Sequence, residues 1–370
     1  MKELALVFLR LGTTAFGGPA AHIAMMEDEF VRRRSWLTSE EFLDLVGAAG
    51  LIPGPSSTEV AIYVGYRRAG WRGLLVAGLC FILPAALMVT ALAWAYVRFG
   101  WLPAVGGALY GIKAVIIAII GQALVAFGRT AVKSAWLVVL GVVAAVAYAL
   151  GASPVVVILV AGIVSAAVRA AGRQNEGAAS LVWPGALGAS AVSATPTALA
   201  KLFLVFLKMG AIVFGSGYVL LAFLRADLVE RTHWLTEPQL IDAVAVGQFT
   251  PGPVFTTATF IGYVVAGLPG ALVATIGIFL PSFVLVAISG PLIPRLRRSR
   301  PAAAFLDGVN VAALALMVVV GLQLGRASIV DAPTAILAVV SAAVLFRWRV
   351  NSTWLVLGGA AAGVVVQWVR

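Results

Sequence analysis

A chain of 370 residues that is 62% hydrophobic and 11% charged cannot cover itself with polar surface; a soluble domain carries about a quarter charged residues. Apolar runs of membrane-spanning length recur along it, each able as a helix to span the ~30 Å hydrocarbon layer. Their Ala, Val, Leu and Gly character excludes the ~10-residue alternating strands of a barrel. The net charge of +11 sits in short basic clusters between those runs, the pattern of the positive-inside rule rather than of a nucleic-acid binder, and the excess also favours an anionic substrate.

In chain order, the first apolar run covers about 4–25. Arg10 interrupts it and the kink Phe16-Gly17-Gly18-Pro19 follows. No small-residue cleavage site is present, so this run is expected to be a retained helix rather than a signal peptide. The second run, about 39–66, is broken at its centre by Pro53-Gly54-Pro55. Proline removes a donor and clashes with the preceding turn, so two half-helices are expected there, forming a re-entrant hairpin or a broken crossing. Runs at about 74–97, 104–127, 134–150 and 153–169 complete the first half. The single cysteine, Cys80, lies inside the third run; it excludes an internal disulfide and a cysteine-based metal cluster.

From about residue 201 the same layout returns. Phe206 begins FLKMGAIVFGSG where Phe8 begins FLRLGTTAFGG. Trp36, Asp44 and Pro53-Gly54-Pro55 match Trp234, Asp242 and Pro251-Gly252-Pro253, and after a one-residue gap Gly65-Tyr66 matches Gly262-Tyr263. The second-half runs fall at about 203–224, 237–264, 270–291, 303–325, 332–346 and 353–369. The organisation is therefore 1–170, a polar Gly/Ala/Ser-rich linker at 171–200, and 201–370.

Equivalent loops carry opposite charge bias. Arg67, Arg68 and Arg72 face an uncharged 264–269; Arg98 alone faces Arg295, Arg297, Arg298 and Arg300; Arg129 and Lys133 face Arg326 with Asp331; the uncharged turn at Ala152 faces Arg347 and Arg349. The halves are therefore expected to be inverted. The predicted fold is an all-α polytopic membrane protein, an inverted repeat with about ten spanning helices plus two Pro-Gly-Pro-broken, re-entrant segments. Five crossings per half supply the odd number that inversion needs.

Catalytic motifs are absent: no HExxH, Walker loop or GxSxG elbow occurs, and His22 and His233 are not repeat-equivalent. No catalytic residue, cofactor or metal is expected, and an enzyme is not the favoured class. The duplicated breaks carry more. Ser56, Ser57 and Thr58 follow the first Pro-Gly-Pro, and Thr256 and Thr257 follow the second. A half-helix starting there presents its positive dipole end, so an oxyanion site is expected; plain capping of the broken helix is the alternative. Arg10 and Lys208 are matched cations inside apolar runs, each followed by a glycine kink at Gly17-Gly18 or Gly215-Ser216. They face either a pathway or, by snorkelling, the interface. Lys113 is a third candidate cation, and Glu59, Asp44 and Asp242 are candidates for binding or relaying a proton, with structural capping or pairing the alternative for the two aspartates. The Gly107/Gly111 and Gly359/Gly363 pairs read as helix packing.

The paired kink and Pro-Gly-Pro motifs, twice and in order across nearly the whole chain, resemble the chromate ion transporter family in its long two-domain form. Half two departs from the pattern, with Ser216-Gly217 where half one has Gly18-Pro19. The resemblance implies export of chromate through the bacterial inner membrane, giving chromate resistance; membrane energetics let a dianion leave a negative cytoplasm on the potential alone or with proton exchange. The residues alone argue only for an anion, and sulfate or another oxyanion suits the same donors. Partners expected are the oxyanion and the lipid bilayer, with no nucleic acid and a homodimer allowed.

Overall fold

The computed structural model describes residues 1–16, 18–100, 102–171, 198–214, 219–289, 300–348, 350 and 352–369. All regular structure among the described residues is helical. Helix α1 (Lys2–Thr14) is followed by α2 (Gly18–Glu27), which continues as a π-helical turn over Asp28–Arg33. The first half continues with α3 (Ser39–Ala49), α4 (Ser56–Phe99), α5 (Pro103–Ala131), α6 (Ala135–Ala149) and α7 (Pro154–Ala171).

The second half repeats this order. It has α8 (Ala198–Ile212), α9 (Leu220–Leu224) with a π turn over Arg225–Arg231, α10 (Glu237–Phe249), a 3-10 turn (Val254–Thr256) and α11 (Thr257–Ser289). Then come α12 (Arg300–Ser328), α13 (Ala332–Trp348) and α14 (Ser352–Val369). Even the caps repeat: Thr38 with Glu41 opens α3, and Thr236 with Gln239 opens α10, each as a capping box.

Two hairpins open each half. In the first, Arg10 on α1 meets Glu29 at 2.5 Å, and Arg34 pairs with Glu3. Residues 3 and 34 can meet only if α2 doubles back beside α1, so the glycine kink is a hairpin tip. In the second, Arg67 near the end of α4's first arm bridges Glu41 in the first turn of α3 at 3.0 Å, and Arg68 lies 5.1 Å from the Trp36 ring centroid. The Pro-Gly-Pro segment is thus the tip of a re-entrant hairpin rather than a broken crossing. At the base of this hairpin α4 turns sharply at Ala69 and Gly70 (φ +57°), and its second arm runs the length of the bundle. Gly65 and Gly73 let the two arms touch backbone to backbone. Gly262 and Gly270 do the same in α11, which turns at Ala266 and Gly267 (φ +61°).

Among the described residues, six helical stretches are long and apolar enough to cross a membrane by length and composition: Ser56–Phe99, Ala104–Ala131, Pro154–Ala171, Val254–Ser289, Pro301–Ser328 and Ser352–Val369. The apolar helices α6 and α13 are shorter. Of the ten spans expected, the first run of each half turns back at its kink instead of crossing, and α6 and α13 are the two shorter helices.

Directions follow from contacts. Gly107 and Gly111 of α5 press on Gly363 and Gly359 of α14, so those helices are antiparallel. Ser165 of α7 donates to the Ala304 carbonyl of α12 at 2.7 Å, while Gly308 packs on Ala161. Tyr63, near the base of its hairpin, meets Ser289 at the end of α11 at 2.6 Å. Thus α11 ends on the face from which α4's second arm starts, and the halves are inverted. The packing is also exchanged: α14 and α13 lie on α5, and α7 and α6 lie on α12. Arg32, Arg33, Arg34, Arg67, Arg68, Arg129, Lys133 and Arg169 gather at one face, which the positive-inside rule makes cytoplasmic. Helix α7 ends on that face and α8 starts on the other. Most of the linker expected at 171–200, namely 172–197, lies outside the described residues.

Candidate functional site

Four hairpin tips converge at the middle of the molecule. The Gly54 N–H donates to the Val213 carbonyl at 2.8 Å, and the Gly252 N–H donates to the Ala15 carbonyl at 2.9 Å. Positions 54 and 252 are repeat-equivalent, and so are 15 and 213. Each Pro-Gly-Pro tip therefore caps the kink of the opposite half, and the two bonds are images of one another. Non-helical backbone inside a membrane must find such partners. Pro53, Gly54 and Pro55 are buried, as are Pro251, Gly252 and Pro253. Gly54 has φ +137° and Gly252 φ +89°. The tips do not face one another across open space: a Cβ on Gly252 would lie 2.6 Å from the Ala85 Cβ and 3.2 Å from the Gly12 carbonyl oxygen.

The backbone is symmetric, but its lining is not. Around the Gly54 tip stand Ser57, Thr58 and Glu59 from the start of α4, Ser282 from α11, and His22 from α2. His22 Nε2 lies 3.0 Å from the Ala15 carbonyl, and its Nδ1 lies 3.2 Å from the Ser57 hydroxyl. A carbonyl only accepts, so Nε2 carries the hydrogen and the neutral ring's Nδ1 accepts from Ser57. Glu59 is 0% exposed. The Ser282 hydroxyl donates to Oε1 at 3.4 Å; Oε2 and the buried Thr58 hydroxyl find no partner among the described residues. The matching positions near the Gly252 tip hold Leu220, Phe255 and Ala85. There Thr256 and Thr257 donate to the Pro253 and Val254 carbonyls, each at 2.8 Å, so both hydroxyls serve their own turn.

The other expected residues lie apart from this junction. Arg10 is paired with Glu29, which Arg34 also holds at 2.7 Å, and the matched Lys208 is paired with Asp227. Arg10's side chain is 53% exposed, so it is no dry cation at a tip; these are clasps between the arms of the first hairpins. Lys113 reaches Asp242 of the other half at 3.1 Å, and the Tyr96 hydroxyl donates to the same carboxylate at 3.0 Å. Asp44 is half-buried on α3. Ser56 heads α4, and Gly18 opens α2 with φ +77°. Gly17, Gly215 and Ser216 lie outside the described residues.

Sequence reasoning missed His22 and Ser282. His22 stands one helical turn beyond the Gly17-Gly18 kink, but matching the repeats gave Leu220 in its place and so no signal. Ser282 directly follows Pro281, the counterpart of Pro84, and a lone serine inside an apolar run reads as packing.

Two inverted, interlocked helical halves that meet at opposed broken-helix tips define a polytopic membrane transporter. The sequence model of the family described as "Chromate transporter" matches residues 2–166 and again 200–364. The chain belongs to the chromate transporter family, in its long two-domain form. It is 38% identical over 370 residues to the chromate transport protein of Cupriavidus metallidurans, covering 98% of this chain and 92% of that one. It is 34% identical to the probable chromate transport protein of Synechococcus elongatus (100% and 96% covered) and 32% identical to the chromate transport protein of Pseudomonas aeruginosa (97% and 91% covered). No solved structure matches the chain.

Proposed function

We propose that this protein is a secondary transporter of the cell inner membrane that exports chromate, passing the oxyanion through the junction of the four hairpin tips. The observation that carries the reading is the reciprocal pair of bonds, Gly54 to Val213 and Gly252 to Ala15. They tie the interrupted backbone of the Pro-Gly-Pro tips to the boundary between two inverted halves, where alternating access acts. The names of the relatives supply chromate. The start of α4, with its dipole and the Thr58 hydroxyl, which has no partner among the described residues, supplies donors for a tetrahedral oxyanion.

Direction follows from energetics. Moving one charge through 100 mV is worth about 2.3 kcal/mol, so a dianion leaving a negative cytoplasm gains about 4.6 kcal/mol. Export runs on the potential alone, whereas import needs several coupled cations. Everted vesicles carrying the protein, energised interior-positive, are expected to accumulate labelled chromate, and collapse of the potential is expected to stop them. Accumulation only in right-side-out vesicles reverses the direction. Accumulation of sulfate with chromate excluded replaces the substrate.

A further inference from the structure

We propose that Glu59 gates the tip junction by protonation: the oxyanion occupies the junction only while the Glu59 carboxyl carries its proton, and ionisation of that carboxyl expels it. The inference rests on the reading that the oxyanion passes this junction.

Its basis is a conflict of charge in one small volume. The helix start that would receive an anion already holds a carboxyl group. Glu59 sits in the first turn of α4, 0% exposed, with its head against the Gly54 tip and the Ser282 hydroxyl. An ionised carboxylate and a dianion cannot share a site without water or a cation between them. No cation contacts Glu59 among the described residues: Arg10 and Lys208 are held by Glu29 and Asp227 at the hairpin bases, and Lys113 is held by Asp242. The titratable groups facing this region are His22 from α2, engaged with Ser57 and the Ala15 carbonyl, and Tyr63 one turn further along α4, engaged with Ser289; α11 contributes only hydroxyls.

A protonated carboxyl reverses the conflict. Its O–H becomes a donor to an oxyanion oxygen, beside the Thr58 hydroxyl, which has no partner among the described residues. When the site opens to water on the far side, the carboxyl passes its proton to water, no other bond changes, and the carboxylate drives the dianion out. The half-two positions matching this stretch, Thr256 and Thr257, carry no acid, so one such group serves the molecule.

The test compares the pH profile of chromate transport in vesicles for wild type, Glu59→Gln, Glu59→Asp, His22→Gln and Thr58→Val, with membrane content checked for each. All meet the same aqueous chromate, so its own protonation cancels between them. Wild-type rate is expected to fall with rising pH on the loading side, approaching about tenfold per unit above the midpoint. Glu59→Gln mimics the protonated acid and cannot ionise, so it is expected to bind chromate at every pH, to lose the pH dependence and to turn over more slowly than wild type because release is no longer driven. Glu59→Asp keeps an acid in altered surroundings and is expected to keep the dependence with a moved midpoint, which retains a test should Glu59→Gln not fold. Thr58→Val is expected to weaken chromate binding about tenfold and leave the pH profile unchanged. A wild-type profile in both Glu59 variants overturns the inference, and so does loss of the dependence in His22→Gln instead. If Thr58→Val and Glu59→Gln both transport with unchanged affinity and rate, the junction is not the oxyanion's path and the functional reading falls with it.

Discussion

Gly252 and Gly54 occupy matched tips with matched left-handed backbone, yet what surrounds each differs. At Gly252 a Cβ would meet the Ala85 Cβ at 2.6 Å and the Gly12 carbonyl oxygen at 3.2 Å, and neither can rotate away. At Gly54 it would meet the Glu59 carboxylate and the Ser282 hydroxyl, which are the free ends of side chains. Left-handed strain of about 1–3 kcal/mol is common to both substitutions. Overpacking adds about 1–3 kcal/mol at Gly252, where only backbone movement relieves it. Gly252→Ala is therefore expected to lower the apparent melting temperature of purified protein more than Gly54→Ala, with Gly54→Ala acting chiefly on transport by turning Glu59 aside. The reverse order of melting temperatures would show that Glu59 is locked in place.

The cations of the first hairpins separate stability from transport at the level of elements. Glu29 is 4% exposed and takes both Arg10 and Arg34, so removing Arg10 leaves a buried carboxylate with one partner in place of two. Arg10→Gln is expected to cost about 1.5–3 kcal/mol, the range for hydrogen bonds to charged groups. Chromate affinity is expected to stay within about twofold, because the clasp lies away from the tips. Arg67→Gln breaks a bridge whose two side chains are half-exposed, and a loss of about 0–1 kcal/mol is expected. Melting curves and transport kinetics on the two variants check this; a tenfold loss of chromate affinity in Arg10→Gln would return Arg10 to the site.

The same hairpins show what was legible beforehand. Prolines 53, 55, 251 and 253 announce breaks that no helix survives, whereas the Thr38 and Thr236 caps came only with the structure. The first hairpin was hidden, because a glycine kink in an apolar run also fits a bent crossing helix. Only the pairing of Arg10 with a residue 19 positions on, repeated at Lys208, distinguishes the two. Gly107, Gly111, Gly359 and Gly363 were readable as packing faces, but nothing in their spacing said that they pack on each other. At the site, the tips and the hydroxyls of Ser57 and Thr58 were legible from the repeat. His22 and Ser282 were not, because the polar lining breaks the symmetry by which the repeat was read.

At the scale of the whole molecule, inversion and exchange act together. Each half's last helices pack on the other half's fourth-run helix, α12 or α5, so neither half completes its own packing, while the tips bond across the same boundary. Two such halves can rock about their shared tips only if corresponding loops lie on opposite sides of the membrane. Trp71 and Leu268 provide a direct check. They are repeat-equivalent, each directly follows the α4 or α11 turn, and they are 62% and 55% exposed. Trp71 lies on the face where Arg67, Arg68 and Arg72 gather, and Leu268 lies on the opposite face. In a Cys80→Ala background, Leu268→Cys is expected to react with a membrane-impermeant maleimide added to intact cells. Trp71→Cys is expected to react only in everted vesicles. Equal labelling of both positions from one side would mean that the halves run parallel, and the reciprocal Gly54–Val213 and Gly252–Ala15 bonds could not then coexist, because they require the two tips to enter from opposite faces.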